Sequence, residues 1–292
     1  MMWKVKFILV AILLLPAPST LEQRQPVAAV SDLWLDVSLG PPLVDWFNRV
    51  ARPTDIARLD NTTQLDLFDR ITVGRKLLVF KSVAEAERLL PNIADQVDII
   101  GYNLEHNPAS PPDEQADPVP SVQRMRALAD EYGLALAFGP DHDFALSAGV
   151  AIAPFVDIFV LQVQRVQTQP QRVYDFVRPL IPQLRAANPD LQISIQVRTE
   201  GDVVAIADLV VALQDDLDGV SILTSPTTVS VAEDLVEELR GRTATNPTPD
   251  LTAVPGMETA ARENQKGLLI LGGVLLVIGG LVGLIIFSRD RE

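Results

Sequence analysis

The 292-residue chain contains no cysteine. That removes disulfides, zinc–thiolate sites and thiol nucleophiles at once. It also excludes a lipoprotein, whose lipid needs a cysteine behind the N-terminal apolar run. Stability must come from a hydrophobic core, and 48% hydrophobic residues over this length suffice for one sizeable domain. Basic residues are scarce: 24 Lys and Arg against 38 Asp and Glu leave a net charge of −14. Nucleic acid is excluded as a partner, because phosphate binding needs clustered Lys and Arg, and the acidic balance reads most simply as solubility. Aromatic residues make up 5%, with all three tryptophans before residue 47. A glycine-rich phosphate loop is missing as well, since Ser38-Leu39-Gly40-Pro41-Pro42 follows the first strand-like run. An open doubly wound sheet that binds a nucleotide would need such a loop, and no cofactor is implied.

Both ends carry membrane signals. Lys4 and Lys6 precede the apolar run Phe7 to Leu15, with small residues Ala17 and Ser19 behind it, the pattern of a secretory signal peptide over 1–19. Residues 267–287 hold no charge and are long enough to cross about 30 Å of hydrocarbon. Lys266 lies before this run and Arg289 and Arg291 behind it, so residues 288–292 are expected in the cytoplasm. The stretch 241–266, rich in Thr, Pro and Ala, reads as a stalk. The expectation is a single-pass cell-membrane protein whose domain, 31–240, is extracytoplasmic. Gly279 and Gly283 form a small-xxx-small pair that fits a homodimer, although glycine is common in membrane helices generally.

Within the domain, β-rich runs alternate with helical stretches. The strands expected are 33–38, 76–81, 97–105, 134–139, 156–164, 191–199 and 217–224; helices are expected over 83–94, 121–132, 171–187, 202–215 and 229–240. This alternation gives βαβ units, and seven strands with helical crossovers predict an α/β fold, a TIM-like (β/α) barrel. Residues 40–75 hold one helix-like run and no clear strand, so the eighth strand is expected to be missing or irregular.

In a barrel, strand residues alternate between the interior and the helix layer, and sites lie at the C-terminal strand ends. One parity carries Gly101, Asn103 and Glu105; then Gly139 and Asp141; then Gln162 and Gln164; then Ser194, Gln196, Arg198 and Glu200. Burying such groups in a dry core costs several kcal/mol per charge. Two readings follow: a polar network that fills the barrel, or a pocket at the strand ends. Asn103, Gln162, Gln164, Gln196 and Arg198 would there bind a hydroxyl-rich ligand. The histidines His106 and His142 lie beside acids, but with neither HxH nor HExxH spacing no metal is expected. The loop 107–120 falls on the same face, as a pocket wall or as an acidic linker.

The segment Asp98-Ile-Ile-Gly101-Tyr-Asn103-Leu-Glu105 resembles the DxxDxDxE strand of family 18 glycoside hydrolases, the chitinase-like barrels. Asp98 and Glu105 match, while Gly101 and Asn103 stand where the family has aspartates. Val156-Asp157-Ile158 and Leu217-Asp218-Gly219 resemble its sixth and last strands. The resemblance implies a polysaccharide or other glycan as ligand and Glu105 as general acid. The family's tyrosine segment on the sixth strand is replaced by Gln162-Val163-Gln164-Arg165, so a second acid, Glu200 or Asp141, is needed for hydrolysis. The alternative is a carbohydrate-binding or cell-surface module that keeps the barrel without the chemistry.

Overall fold

The computed structural model describes residues 32–242. The expected signal peptide, membrane segment, glycine pair and tail lie outside the described residues, as does the expected stalk beyond 242. Among the described residues no helix is long and apolar enough to cross a membrane.

Eight parallel strands close a barrel in sequence order, each hydrogen-bonded to the next and the last to the first. They are β1 (Trp34–Ser38), β2 (Ile56–Leu59), β3 (Arg75–Phe80), β4 (Ile99–Tyr102), β5 (Ala135–Phe138), β6 (Ile158–Gln162), β7 (Gln192–Arg198) and β8 (Gly219–Leu223). The helices are α1 (Val44–Val50), α2 (Val83–Ile93), α3 (Pro112–Ala116), α4 (Pro118–Tyr132), α5 (His142–Ile152), α6 (Pro170–Ala187), α7 (Val203–Val211) and α8 (Val229–Gly241). The expected irregularity in residues 40–75 is therefore corrected: β2 completes the barrel. Its sequence, Ile-Ala-Arg-Leu, is four residues long and points a charge inward, which hides it from a search for apolar runs. α5 was also unexpected. Its Gly149 packs close to Phe159, 3.2 Å from where a Cβ would sit, so glycine here allows close approach and does not mark a turn.

Local chemistry sets the boundaries. Ser82 Oγ caps α2 by accepting the Glu85 N–H (3.1 Å), and the Glu85 carboxylate accepts the Lys81 N–H (3.0 Å), close to a capping box. Asp202 caps α7 through the Val204 N–H (2.8 Å). Gly133, with φ +68°, ends α4 in the left-handed conformation.

Two apolar layers result. Trp34, Ile56, Leu77, Val79, Ile99, Ala137, Ile158 and Val160 fill the lower barrel. The opposite parity, including Leu35, Ala57, Leu78, Ile100, Leu136, Phe159, Ile193 and Val220, packs under the helices. The interior is tight. A Cβ on Gly219 would fall 2.2 Å from the Trp34 ring, and one on Gly101 2.9 Å from Leu77.

The N-terminal rim carries a repeated device. Asp55, Asp98, Asp157 and Asp218 each stand immediately before an even-numbered strand. Each accepts a backbone N–H from the preceding odd strand: Leu35 (2.9 Å), Lys76 (2.7 Å), Leu136 (2.7 Å) and Ile193 (2.8 Å). Three of the four also pair with a helix arginine, Arg240 to Asp55, Arg126 to Asp157 and Arg185 to Asp218. The same arginines donate to the carbonyls of Leu33, Leu134 and Leu191, just before β1, β5 and β7. Asp98 therefore ties strands together at the end of the barrel away from the mouth. Its match to the glycoside-hydrolase motif, and the similar Val156-Asp157 and Leu217-Asp218 pairs, reflect this recurring rim contact.

Candidate functional site

Gln162 and Gln196 share the inward parity near the C-terminal mouth. Gln162, Gln196, Ser221 and Asp36 are register partners on β6, β7, β8 and β1, so four polar groups share one level just inside it. They are linked. Gln162 Nε2 donates to the Gly139 carbonyl (2.9 Å), and Gln164 Nε2 to Gln162 Oε1 (2.9 Å). Gln196 Nε2 donates to Ser221 Oγ (3.4 Å), which donates to Asp36 Oδ2 (2.7 Å). Arg58 closes the row: Nη1 reaches Ser221 Oγ at 2.6 Å and Asp36 Oδ2 at 3.1 Å, and Nη2 the Ile222 carbonyl at 3.3 Å. Its Nε lies 3.1 Å from Asp60 Oδ1, and Asp60 accepts the Ser38 hydroxyl.

Arg58 is 3% exposed and Asp36 2%. Burial raises the Asp36 carboxyl above its ordinary value, against the opposing pull of Arg58 and Ser221. Burial alone would lower Arg58, but Asp36 and Asp60 outweigh it and hold the guanidinium above its ordinary value. The sequence reading missed Asp36, Ser38, Arg58, Asp60 and Ser221. The signal that would have found Asp36 was available, because it alternates with Leu35 and Val37 as Asn103 does with Tyr102 and Leu104. Arg58 required β2.

The expected site residues fall into three groups. Asp141, Gln162 and Gln164 come together around a cavity of about 380 Å³ over the ends of β5 and β6, with His142, Arg165 and Arg172. Asp141 is buried there and accepts the His106 N–H (2.8 Å), with Arg165 Nη2 3.4 Å from its other oxygen. On the β4 side, Glu105 accepts from Asn107 Nδ2 (2.6 Å) and lies 3.7 Å from Lys81 Nζ. Asn103 reaches over Gly139, its Oδ1 2.7 Å from where a Cβ would sit there. Arg198 and Glu200 form an exposed pair, Nε to Oε2 3.2 Å, and Gln196 belongs to the buried row. Each of the three expected carboxylates instead has a basic partner of its own: Lys81 for Glu105, Arg165 for Asp141 and Arg198 for Glu200.

The histidines divide similarly. His106 pairs with Asp143 (2.7 Å) and stacks on Phe144, while His142 packs on Phe176. Burial pushes Asp143 up, but its own backbone N–H and His106 outweigh this and lower it. No group of three metal-ligating side chains occurs among the described residues. The loop 107–120 is held in place, although no residue of it lines either cavity. It contains α3, whose buried Glu114 accepts the Tyr102 hydroxyl (2.6 Å) and the Val83 N–H (3.0 Å). Burial, then the bond to Glu114, pushes the Tyr102 hydroxyl well up.

A second cavity of about 250 Å³ lies between the ends of β1, β2 and β8, lined by Ser38, Asp60, Gln64, Thr224 and Ser225 among others.

The strand order and closure define the class, a TIM-like α/β barrel. No protein-family model matches the chain, and no curated protein sequence matches it. Among solved structures, it is similar to 3-keto-L-gulonate-6-phosphate decarboxylase from Vibrio cholerae O1 biovar El Tor str. N16961, at 11% identity and a TM-score of 0.48, covering 71% of this chain and 97% of that one.

Proposed function

We propose that the barrel mouth holds a hydroxyl-rich ligand of the carbohydrate class, outside a membrane to which residues 267–287 tether the chain. One observation carries the reading: Gln162, Gln164 and Asp141 converge on a cavity of about 380 Å³, within the roughly 300–1,000 Å³ range of small-molecule sites. Amides donate and accept in fixed directions, and a charged guanidinium adds strong donors, which together match the mixed donors and acceptors of a sugar.

The reading has two forms. In the hydrolase form, Glu105 is the general acid, and Glu200 or Asp141 supplies the second carboxylate. In the binding form, the mouth recognises a glycan without cleaving it. The ion pairs favour binding alone: Glu105 faces Lys81, Glu200 faces Arg198, and Asp141 faces Arg165. A carboxylate so engaged must leave its partner before it can pass on a proton. The neighbour of Glu105 on the motif is an amide, Asn103, which brings no negative charge to a reacting centre.

Turnover and affinity for one panel of β-linked glycans separate the forms. The binding form expects no turnover by the parent, unchanged affinity in Glu105→Gln, and affinity about tenfold weaker in Gln164→Ala, the loss of about one well-made hydrogen bond. Turnover by the parent that disappears in Glu105→Gln, with affinity retained, would establish the hydrolase form instead. A parent that neither binds nor cleaves any glycan of the panel would overturn both.

A further inference from the structure

The cavity over β5 and β6 has a charge character opposite to that of the chain. Arg165 and Arg172 line it, and Asp141 is the one carboxylate that does so. Arg165 lies 3.4 Å from Asp141, which neutralises one charge and fixes that guanidinium at the cavity edge. Arg172 pairs with no carboxylate among the described residues; its Nη1 donates to Gln169 Oε1 at 3.2 Å. The balance of these groups is therefore one positive charge, in a protein whose net charge is −14.

Two further features agree. Arg172 lies in the first turn of the 18-residue helix α6, whose N-cap residue, Gln169, makes no side-chain cap bond. The positive end of that helix dipole adds to the field of Arg172. Gln162 and Gln164 line the same cavity with amides, and Gln164 Nε2 is already spent on Gln162 Oε1. The cavity thus offers charged donors from the β6–α6 segment and amide groups from the strand end. The overall negative charge does not forbid an anion here, because beyond about 8 Å it is screened at physiological salt.

We infer that this cavity takes the oxyanion substituent of an acidic carbohydrate, a carboxylate or a sulfate ester, with Arg172 as the principal cationic contact and Arg165 at its side. The inference rests on the carbohydrate reading of the mouth and narrows it from glycans in general to anionic ones. Arg172 discriminates between charged and neutral sugars, while Gln162 and Gln164 hold hydroxyl groups common to both.

The test is titration calorimetry of the full-length protein in mild detergent with three probes of equal length: galacturonate, sulfated galactose and neutral galactose oligosaccharides. At least one acidic probe is expected to bind about tenfold or more tightly than the neutral one, the scale of one charge-assisted contact. The acidic probe that shows this preference identifies the substituent as carboxylate or sulfate. Arg172→Gln should erase the preference, bringing the affinity for the acidic probe down to that for the neutral one, and Arg172→Lys should retain most of it. Arg172 is exposed, so an unchanged melting temperature is expected and checks that the variant is folded. Equal affinity of the parent for acidic and neutral probes overturns the inference and leaves the carbohydrate reading standing, as does a preference that survives Arg172→Gln. Binding of no probe by the parent overturns the inference together with the reading beneath it.

Discussion

Replacing Arg58 with methionine tests the buried row directly. The guanidinium is 3% exposed and bridges Asp36, Ser221 and the Ile222 carbonyl, with Asp60 beside Nε. Methionine fills much of the same space but leaves Asp36 buried without its cation, a change that costs about 3–5 kcal/mol. In urea unfolding of the full chain, with a slope of about 2–3 kcal/mol per molar, the midpoint should fall by roughly 1–2 M. The loss should depend on pH. Asp36 already lies above its ordinary 3.8 because of burial, and without Arg58 it moves higher. The folded variant then holds a proton that the unfolded chain has released. Its stability is fullest below about pH 4 and falls as pH rises through the folded value. Asp36→Asn combined with Arg58→Met removes both charges, so this slope should vanish and the double loss should be smaller than the sum of the single losses by at least about 1 kcal/mol. Additive losses with no pH slope in Arg58→Met would refute the claim that Asp36 and Arg58 depend on each other.

Three other expectations follow from the same geometry. Asp55→Asn should destabilise by about 3 kcal/mol in thermal or urea unfolding, since it strips the charge partner from Arg240 (2.6 Å) while the Leu35 N–H keeps an acceptor; a loss under 1 kcal/mol would deny the rim contact its importance. Gly219→Ala should cost more than Gly133→Ala, because its Cβ would collide with Trp34 whereas Gly133 has open space and only the left-handed backbone penalty of about 1–2 kcal/mol; comparing the two melting temperatures decides this. Protease added to intact cells should release a soluble fragment ending within 241–266 if the barrel is exported and tethered, whereas protection of the bulk of the chain would reject that topology.

Much of the barrel was legible because seven strands present near-continuous apolar runs bounded by helix signals, as buried parallel strands do. β2 was illegible because a barrel strand is judged by both faces, and its inner face carries Arg58, whose compensation comes from Asp36 and Ser221 on other strands. Asp36 is 185 residues from Ser221 in sequence, and nothing local announces that they meet. α5 was hidden by Gly149 and by a weak contrast between its faces. At the mouth, alternation set the inward parity of Gln162 and Gln196. Alternation gave no distances, and it was the resemblance to family 18 that credited Asp98 to a site motif, whereas that residue fastens β3 to β4 at the far rim.

Hydrogen exchange of the full-length protein with and without a bound oligosaccharide tests the central claim most directly, because it reports where the ligand sits without a variant. The account predicts slowed exchange at the ends of β5 and β6 and in the first turn of α6, within residues 139–145 and 162–173. Saturable binding that instead protects residues 38–43 and 224–229 around the second cavity, and leaves 162–173 unchanged, would contradict it.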